Sequence, residues 1–223
     1  MNNSAVDIKG LGDMGKEQCL CSYFSFRWLN YDPLGQILPG TRFLPFKTPL
    51  RADYFKNRGE NFRREQVFEI TTLVERAARE GHTIGLIIDL TATNKYYDPC
   101  ELDEFGIDYV KISCRGHSAN SDVDAANLFI ESVSTFLRNN ANNDKLIGVH
   151  CTHGLNRTGF LICKYLIEVD SVDPKEAIKR FEYSRGYKIE RRRYVNALFD
   201  DCVRGCLSYL AAPVNVPRVT SGV

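Results

Sequence analysis

A cysteine and an arginine lie six positions apart in a run of small and turn-forming residues, H-C-T-H-G-L-N-R-T-G, which spans 150–159. The largely apolar residues 145–150 before Cys151 predict a buried strand, and residues 160–167 after Arg157 predict a helix. A strand that turns sharply into a helix points several backbone N–H groups at one spot, beside the positive end of the helix dipole. The spacing therefore predicts a cradle for a phosphate-sized anion, with Cys151 as a nucleophile aimed at it.

Phosphoryl transfer to cysteine requires the thiolate, because the neutral thiol is a poor nucleophile. The N–H groups of the cradle and Arg157 should lower the pKa of Cys151, and Thr158 is placed to donate its hydroxyl to the sulfur. The planar guanidinium of Arg157 matches two phosphate oxygens at once, which the ammonium of a lysine does not. Gly154 lets the backbone turn and approach the anion without a Cβ in the way.

The cysteine and the arginine also have a simpler interpretation. A bare C-x5-R occurs often by chance, and Cys151 is then a buried core thiol and Arg157 a surface charge. The complete string H-C-x-x-G-x-x-R-T-G between a strand and a helix is far more specific. The full pattern favours a catalytic site.

The string and its surroundings resemble the RNA 5′-phosphatases of the atypical dual-specificity group, which are cysteine-dependent phosphatases. This group comprises the triphosphatase domain of animal mRNA capping enzymes and the stand-alone RNA/RNP-complex-interacting phosphatases, and the resemblance is closer to the stand-alone ones. It covers residues 27–206 and is carried, besides the loop, by the segments 28–31, 33–36, 39–43, 85–91, 96–97 and 145–149. The resemblance implies the α/β fold of cysteine-dependent phosphatases, with a central mixed sheet flanked by helices.

The resemblance also implies an activity, that of an RNA 5′-polyphosphatase. Such an enzyme removes the γ- and then the β-phosphate of 5′-triphosphorylated RNA and leaves a 5′-monophosphate. Cys151 would form a phosphocysteine that water hydrolyses, with no metal and no cofactor, because the loop supplies the positive field. The implied partners are RNA and RNA-processing or ribonucleoprotein proteins, and the implied location is the nucleus, with the cytoplasm as a second compartment. The chain has no Lys-x-Asp-Gly motif for nucleotidyl transfer, so we do not expect it to cap RNA.

Length and composition predict one domain with two tails. Hydrophobic residues make up 43% of the 223 residues, which supports a sizeable core. We predict a flexible segment over 1–24, a catalytic domain over 25–208 and a flexible tail over 209–223. The eight cysteines occur without a secretory signal or zinc-site spacing, which predicts free thiols in a reducing compartment and no metal site. No stretch is long and apolar enough to cross a membrane, and we expect a monomer.

The hydrophobic periodicity predicts helices that alternate with apolar strands. This alternation indicates a layered α/β domain, which binds ligands at the carboxyl ends of its strands. Helices are predicted over 65–80, 122–138, 174–186 and 190–206, and strands over 86–90 and 109–114. The segment 175–193 contains eight basic residues and three acidic ones. This run is either a solvated surface or a guide for a polyanionic substrate.

Several residues are predicted to support the nucleophile. Asp89, at the end of a buried strand, is expected to bond the loop or Arg157 and to orient them. His150 is expected to accept N–H bonds from the loop and tune the thiolate, and His153 to add partial positive charge for a longer anion. Asn156 is expected to hold the loop or to orient the attacking water. The other predicted substrate contacts are Thr152, Gly154, Leu155, Arg191 and Arg192. For Arg191, we expect either a contact with the second or third phosphate or a place on a solvated helix face.

Protein-directed relatives usually place an aspartate on the loop before the nucleophile, where it protonates the departing oxygen. The equivalent stretch, residues 114–120, has no aspartate, and Asp122 fits a helix start better than a catalytic acid. His117 is an alternative acid, or it has a capping or packing role. A departing monophosphate or diphosphate is already a stable anion, so the missing acid favours a phosphoanhydride substrate over a phosphoprotein.

Three other functions stay open. The main alternative is a dual-specificity phosphoprotein phosphatase. A phosphoinositide phosphatase often carries lysines in its loop, and residues 152–156 contain none. A catalytically silent phosphate-binding adaptor would not need the intact set of Cys151, Arg157 and Thr158.

Overall fold

The computed structural model describes residues 27–56, 64–114 and 122–200, which form a layered α/β domain. Four strands build one sheet in the spatial order β1-β4-β2-β3, and each neighbouring pair is parallel. The strands are β1 (Phe43–Lys47), β2 (Ile84–Asp89), β3 (Asp108–Lys111) and β4 (Leu146–Cys151). The longer helices are α1 (Ile70–Arg79), α2 (Val123–Asn139), α3 (Asn156–Glu168), α4 (Pro174–Arg185) and α5 (residues 192–200). Short helical turns lie at Asp53–Lys56, Arg64–Gln66 and Pro99–Phe105.

The predicted α/β fold is confirmed, with one difference in the sheet. We expected a mixed sheet, but the four described strands are all parallel, and antiparallel pairing in the described part of the chain is confined to one bridge between Leu34 and Phe46. Parallel strands need helices over both faces, and β2 and β4 are buried along their whole length. This burial explains why both strands read as continuous apolar runs.

Local signals set the ends of two helices where the sequence places them. Asp122 caps α2 by accepting the N–H of Ala125 at 3.0 Å. Asp173 caps α4, Pro174 occupies its first position, and Gly186 ends it in the left-handed region at φ 79°. Both starts are therefore decided by side chains within a few residues of the helix.

Other boundaries shift because of tertiary contacts. The helix predicted over 65–80 begins only at Ile70, because Phe68 is fully buried outside the helix and its carbonyl accepts the N–H of Leu50 at 2.9 Å. The strand predicted over 109–114 is β3, which ends at Lys111. The last helix begins at 192 instead of 190, after the N–H of Arg191 bonds to a side chain of the loop.

Apolar layers cover both faces of the sheet and hold its carboxyl edge in place. One face packs on α2, α3, α4 and α5, with Phe129, Phe160 and Phe181 at its centre. The other packs on α1 and on a cluster that includes Trp28 and Phe68. At this edge, β1 ends with Lys47, β2 with Asp89 and β4 with Cys151. Three strands therefore deliver polar side chains to one place.

Candidate active site

The predicted cradle lies between β4 and α3. β4 ends at Cys151 and α3 begins at Asn156, so one short turn joins them. Gly154 within this turn adopts φ 68°, and a Cβ there would lie 2.2 Å from the carbonyl oxygen of Phe46 in β1. Glycine is required at this position both for its conformation and for the close approach of two backbones. The side chain of Leu155 is fully buried, so only the backbone of this residue is available for the predicted contact with substrate.

The thiol of Cys151 is poised to ionise near neutral pH. Burial by itself raises its pKa, since only 4% of the residue is exposed. The guanidinium of Arg157, the hydroxyl of Thr158 and the N–H groups of Thr158 and Leu155 more than offset this effect and lower the pKa to about 7. The Thr158 hydroxyl is buried and has no well-formed hydrogen bond in the described part of the chain, so it is free to bond the sulfur, and its proximity lowers the pKa of the thiol. The thiolate that the chemistry requires is therefore stabilised by the predicted groups.

Arg157 is held over the cradle by main-chain carbonyls. Its Nη1 donates to the carbonyl oxygens of Leu90 at 2.7 Å and Cys114 at 2.8 Å, and its Nη2 donates to the hydroxyl of Thr152 at 3.0 Å. Leu90 follows β2 directly and Cys114 lies three residues beyond the end of β3, so the sheet sets the guanidinium's orientation. Of the two contacts expected for Asp89, with the loop or with Arg157, the bond to Arg157 is not formed, because the carbonyl of Leu90 accepts from the guanidinium instead.

Asp89 has other partners beneath the loop. Its carboxylate accepts hydrogen bonds from the N–H of Thr91 at 2.7 Å, the ammonium of Lys111 at 2.7 Å and the hydroxyl of Tyr109 at 3.0 Å. Burial raises the pKa of Asp89, but the hydrogen bonds from the ammonium of Lys111 and the N–H of Thr91 favour the carboxylate, so the pKa is lowered and the group is ionised. Asp89 therefore acts on the residue before the nucleophile, 3.8 Å from the ring of His150.

His150 is a fully buried, neutral residue. Burial lowers its pKa although Asp89 opposes the shift, and its Nε2 lies 2.8 Å from the hydroxyl of Tyr97. The expected N–H bonds from the loop are not seen, since Nδ1 has no well-formed hydrogen bond in the described part of the chain. The ring packs against Phe46 and Tyr97 instead, at centroid distances of 5.0 and 5.6 Å.

His153 does not supply the predicted positive charge. Burial, together with the nearby charge of Arg27, lowers its pKa to about 4, so the ring is neutral at pH 7. The ring lies 5.1 Å from that of Tyr31, measured between centroids. The residue contributes an aromatic surface at the rim of the loop.

Asn156 holds the loop, as one of its two predicted roles required. Its amide donates to the carboxylate of Glu190 at 3.2 Å, and its side-chain oxygen accepts the N–H of Arg191 at 2.9 Å. The guanidinium of Arg191 lies 5.8 Å from the ring centre of Tyr194. That of Arg192 is exposed, and neither arginine forms an ion pair with a described residue. The backbone N–H of Arg191, and not its guanidinium, thus joins this residue to the rim of the loop.

Sequence reasoning missed Arg185, a buried cation behind the loop. Only 2% of the residue is exposed. Its Nε donates to the carbonyl of Gly154 at 3.2 Å, and its Nη2 donates to those of His153 at 3.1 Å and Asp32 at 2.7 Å. Burial lowers its pKa to about 10, so it stays charged. Arg185 therefore pairs the loop carbonyls that point away from the anion cradle. The one sequence signal for this role was a basic residue just before Gly186.

Lys47 is a second buried basic residue that the sequence analysis did not single out. Its Nζ donates to the carbonyls of Tyr31 at 2.8 Å and Trp28 at 3.2 Å, and it lies 3.5 Å from the Trp28 ring centre. Burial and the charge of Arg185 lower its pKa to about 7. Since Lys47 pairs in register with Cys151, it joins the segment around Tyr31 to the nucleophile's strand.

The remaining predicted features are placed in part. His117 lies outside the described residues, as do Cys19, Cys21, Cys202 and Cys206. Asp122 serves as a helix cap. The described cysteines, Cys100, Cys114, Cys151 and Cys163, are free thiols. Within the described ranges no three His, Cys, Asp or Glu side chains cluster as metal ligands, and no helix has the length and apolar character to span a membrane.

Comparison with known proteins finds relatives that cover most of the chain. Residues 68–200 match the family described as dual specificity phosphatase, catalytic domain. The chain is 46% identical over 174 residues to an RNA/RNP complex-1-interacting phosphatase homolog of Caenorhabditis elegans, covering 78% of this chain and 74% of that one. It is 44% identical over 178 residues to the human RNA/RNP complex-1-interacting phosphatase, covering 80% and 52%. This chain spans about half the length of that human relative.

Two further matches broaden the comparison. A tyrosine-protein phosphatase of Autographa californica nuclear polyhedrosis virus is 39% identical over 175 residues, covering 78% of this chain and 98% of that one. The crystal structure of PTPMT1 has a TM-score of 0.56 at 15% identity, covering 81% and 99%, and shows the fold alone. Since the family match covers residues 68–200 and the similarity to the Caenorhabditis elegans relative extends over 78% of the chain, this protein belongs to the dual-specificity phosphatase family, as a cysteine-dependent phosphatase similar to the stand-alone RNA/RNP complex-1-interacting phosphatases.

Proposed function

We propose that this phosphatase acts on the 5′ end of triphosphorylated RNA and removes the γ- and then the β-phosphate, leaving a 5′-monophosphate. One observation carries this choice. Residues 112–121 contain no Asp or Glu, and Asp122, the first carboxylate after them, is bonded to the N–H of Ala125 as a helix cap. The stretch after β3 thus offers no carboxylic acid for a poor leaving group. A phosphoanhydride needs little protonation to break, whereas a serine or tyrosine ester needs more.

The first step of the proposed reaction forms a sulfur–phosphorus bond. The thiolate of Cys151 attacks the terminal phosphorus in line, the phosphoanhydride bond breaks, and its electron pair leaves on the oxygen of the shortened RNA. At a pKa of about 7, roughly half of the thiol is ionised at neutral pH. Arg157 and the N–H groups of the loop stabilise the charge on the transferring phosphoryl group.

The second step regenerates the thiolate. Water attacks the phosphocysteine, the sulfur–phosphorus bond breaks with its electron pair returning to Cys151, and the water's proton leaves with inorganic phosphate or solvent. Arg157 meets the same arrangement of equatorial oxygens as in the first step. Asn156, fixed by Glu190 and the N–H of Arg191, keeps the turn in one conformation through both steps.

A dual-specificity phosphoprotein phosphatase is the second candidate. The family match and the viral relative, which is described as a tyrosine-protein phosphatase, favour it. The names of the relatives from Caenorhabditis elegans and human favour RNA or ribonucleoprotein. Both candidates use Cys151 and Arg157 in the same way, so the substrate decides between them.

The deciding experiment compares kcat/KM on a short 5′-triphosphorylated RNA and on a phosphotyrosine peptide. We expect a preference for RNA, and mass analysis of the RNA product should show a diphosphate that converts to a monophosphate. A strong preference for the peptide contradicts the proposal. Acid quench followed by peptide mass spectrometry should find phosphorus on Cys151, and the Cys151→Ser protein should be inactive on both substrates.

We further propose that the protein is a monomer that associates with ribonucleoprotein or RNA-processing proteins, with the nucleus as its main compartment and the cytoplasm as a second. The names of the relatives support the choice of partner class. Light scattering tests the monomer, and imaging of the tagged full chain tests the compartment. A dimer at micromolar concentration, or exclusion from the nucleus, contradicts these proposals.

A further inference from the structure

We propose that the 5′-terminal nucleobase of the substrate binds to an aromatic surface beside the phosphate loop, formed by the rings of Tyr31, His153 and Tyr187, and stacks on the ring of Tyr187. We call these residues the rim group. The inference rests on the proposed action on RNA ends, and it assigns to the rim group the recognition of a flat base attached to the phosphates. None of the three rings is needed for the transfer of phosphate itself.

The rim group is continuous with the loop. His153 is the second residue after the nucleophile, and its ring lies 5.1 Å from that of Tyr31, with the planes inclined at 48°. The Tyr187 ring lies 5.2 Å from the Tyr31 ring on an edge-to-face geometry of 79°. All three residues are partly exposed. An anion seated in the loop therefore has an accessible aromatic surface next to it.

The rings are held in place before any substrate arrives. The hydroxyl of Tyr31 donates to Glu190 at 2.5 Å, and the carbonyl of Tyr31 accepts from the buried ammonium of Lys47 at 2.8 Å. The hydroxyl of Tyr187 donates to the carboxylate of Asp32 at 3.0 Å and accepts the N–H of the same residue at 3.0 Å. A surface fixed in this way loses little conformational entropy when a base binds.

The charges around the rings suit a nucleotide. His153 is neutral at pH 7, so it offers a π surface instead of a point charge. The carboxylate of Glu190, which holds Tyr31, has Arg27 beside it, and the carboxylate of Asp32, which holds Tyr187, is close enough to Arg185 to favour its charged form. The guanidinium of Arg185 lies 5.1 Å from the ring centre of Tyr187. The rim group thus adds stacking without repelling the phosphates.

The test compares two substrates that share the terminal phosphoanhydride, a short 5′-triphosphorylated RNA and inorganic triphosphate. The readout is the ratio of their kcat/KM values in the full chain. Tyr187→Ala should lower this ratio about five- to 150-fold, the range of one base–aromatic stack. Tyr187→Phe keeps the ring without the hydroxyl and should retain most of the ratio. Tyr183→Ala, which removes a ring that is 73% exposed on α4, is the matched control and should leave the ratio unchanged.

A second measurement does not depend on a rim variant folding. RNA with 2-aminopurine as its first base should lose fluorescence on binding to the Cys151→Ser protein, and RNA with the probe at the third position should lose less. Equal quenching at both positions overturns the proposal, as does an unchanged ratio in Tyr187→Ala. If the parent protein hydrolyses inorganic triphosphate or the peptide but not RNA, the proposed function itself fails. If it hydrolyses RNA with no effect of the ring, only the stacking fails.

Discussion

Replacing Thr158 with alanine should raise the pKa of the Cys151 thiol and move the onset of its reactivity to higher pH. The pKa is lowered from 9.0 to about 7 in the folded protein, although burial alone raises it. Two pKa units correspond to about 2.7 kcal/mol in favour of the thiolate. A hydrogen bond to a charged group contributes about 1.5–3 kcal/mol, so losing the Thr158 hydroxyl should raise the pKa by about one unit or more.

The effect has a defined dependence on pH. At about pH 6 the thiolate fraction should fall about tenfold in Thr158→Ala, whereas at about pH 9 most of the thiol is ionised in both proteins and the rates should nearly agree. The assay is the rate of alkylation of Cys151 by iodoacetamide, followed by mass spectrometry of the peptide that contains it. Thr71→Ala, at an exposed position of α1, is the control and should leave the profile unchanged.

Two outcomes would refute this reasoning. If Thr158→Ala slowed alkylation equally at every pH, the hydroxyl would shape access to the sulfur and not its charge. If the midpoint did not move, the buried hydroxyl would not contact the sulfur at all. In either case Arg157 and the N–H groups of the loop would have to account for the whole shift.

Three further predictions test the groups around the thiol. Arg157→Lys keeps the charge but loses the fork, so single-turnover rates on triphosphorylated RNA should fall about 10²–10³-fold, and a rate near that of the parent contradicts the role given to the guanidinium. Arg185→Gln removes a cation shared by three carbonyls and should lower the free energy of unfolding by about 1.5–3 kcal/mol, with Arg180→Gln on the surface of α4 as a nearly neutral control in urea titrations. The pKa of Lys47 is about 7 in the folded chain against 10.5 ordinarily, so the unfolded chain binds the extra proton between these values and stability should rise with pH across that window. The unfolding free energy of the parent minus that of Lys47→Met should rise accordingly, and a flat difference refutes the shift.

The loop and the helix starts follow from short-range rules, so they were predictable. Cys151, Arg157 and Thr158 occupy successive turns of one continuous segment, and their mutual distances depend on few dihedral angles. The caps at Asp122 and Asp173 act on N–H groups two or three residues away. Family resemblance added the expectation of the fold, which the sheet and the comparisons confirm.

The surroundings of the loop were not predictable from local patterns. Asp89 was expected to bond the loop or Arg157, but its carboxylate bonds Lys111 and lies near His150, while a backbone carbonyl holds the guanidinium. A carbonyl exists at every residue and leaves no mark in the sequence. His153 was expected to carry charge, yet packing against Tyr31 and the approach of Arg27 keep it neutral. Which groups approach it depends on how distant segments meet.

The amino-acid sequence by itself identifies the groups that carry the reaction, because the nucleophile, the guanidinium and the hydroxyl lie within eight consecutive residues, 151–158. The packed fold alone decides which basic side chains support that loop. Arg185 follows Gly154 by 31 residues and Lys47 precedes Cys151 by more than a hundred, and both become buried only when α4 packs against α3 and β1, and β1 pairs with β4. In a sequence each reads as one more surface charge, since burial, and the carbonyls that make it tolerable, are properties of the assembled layers.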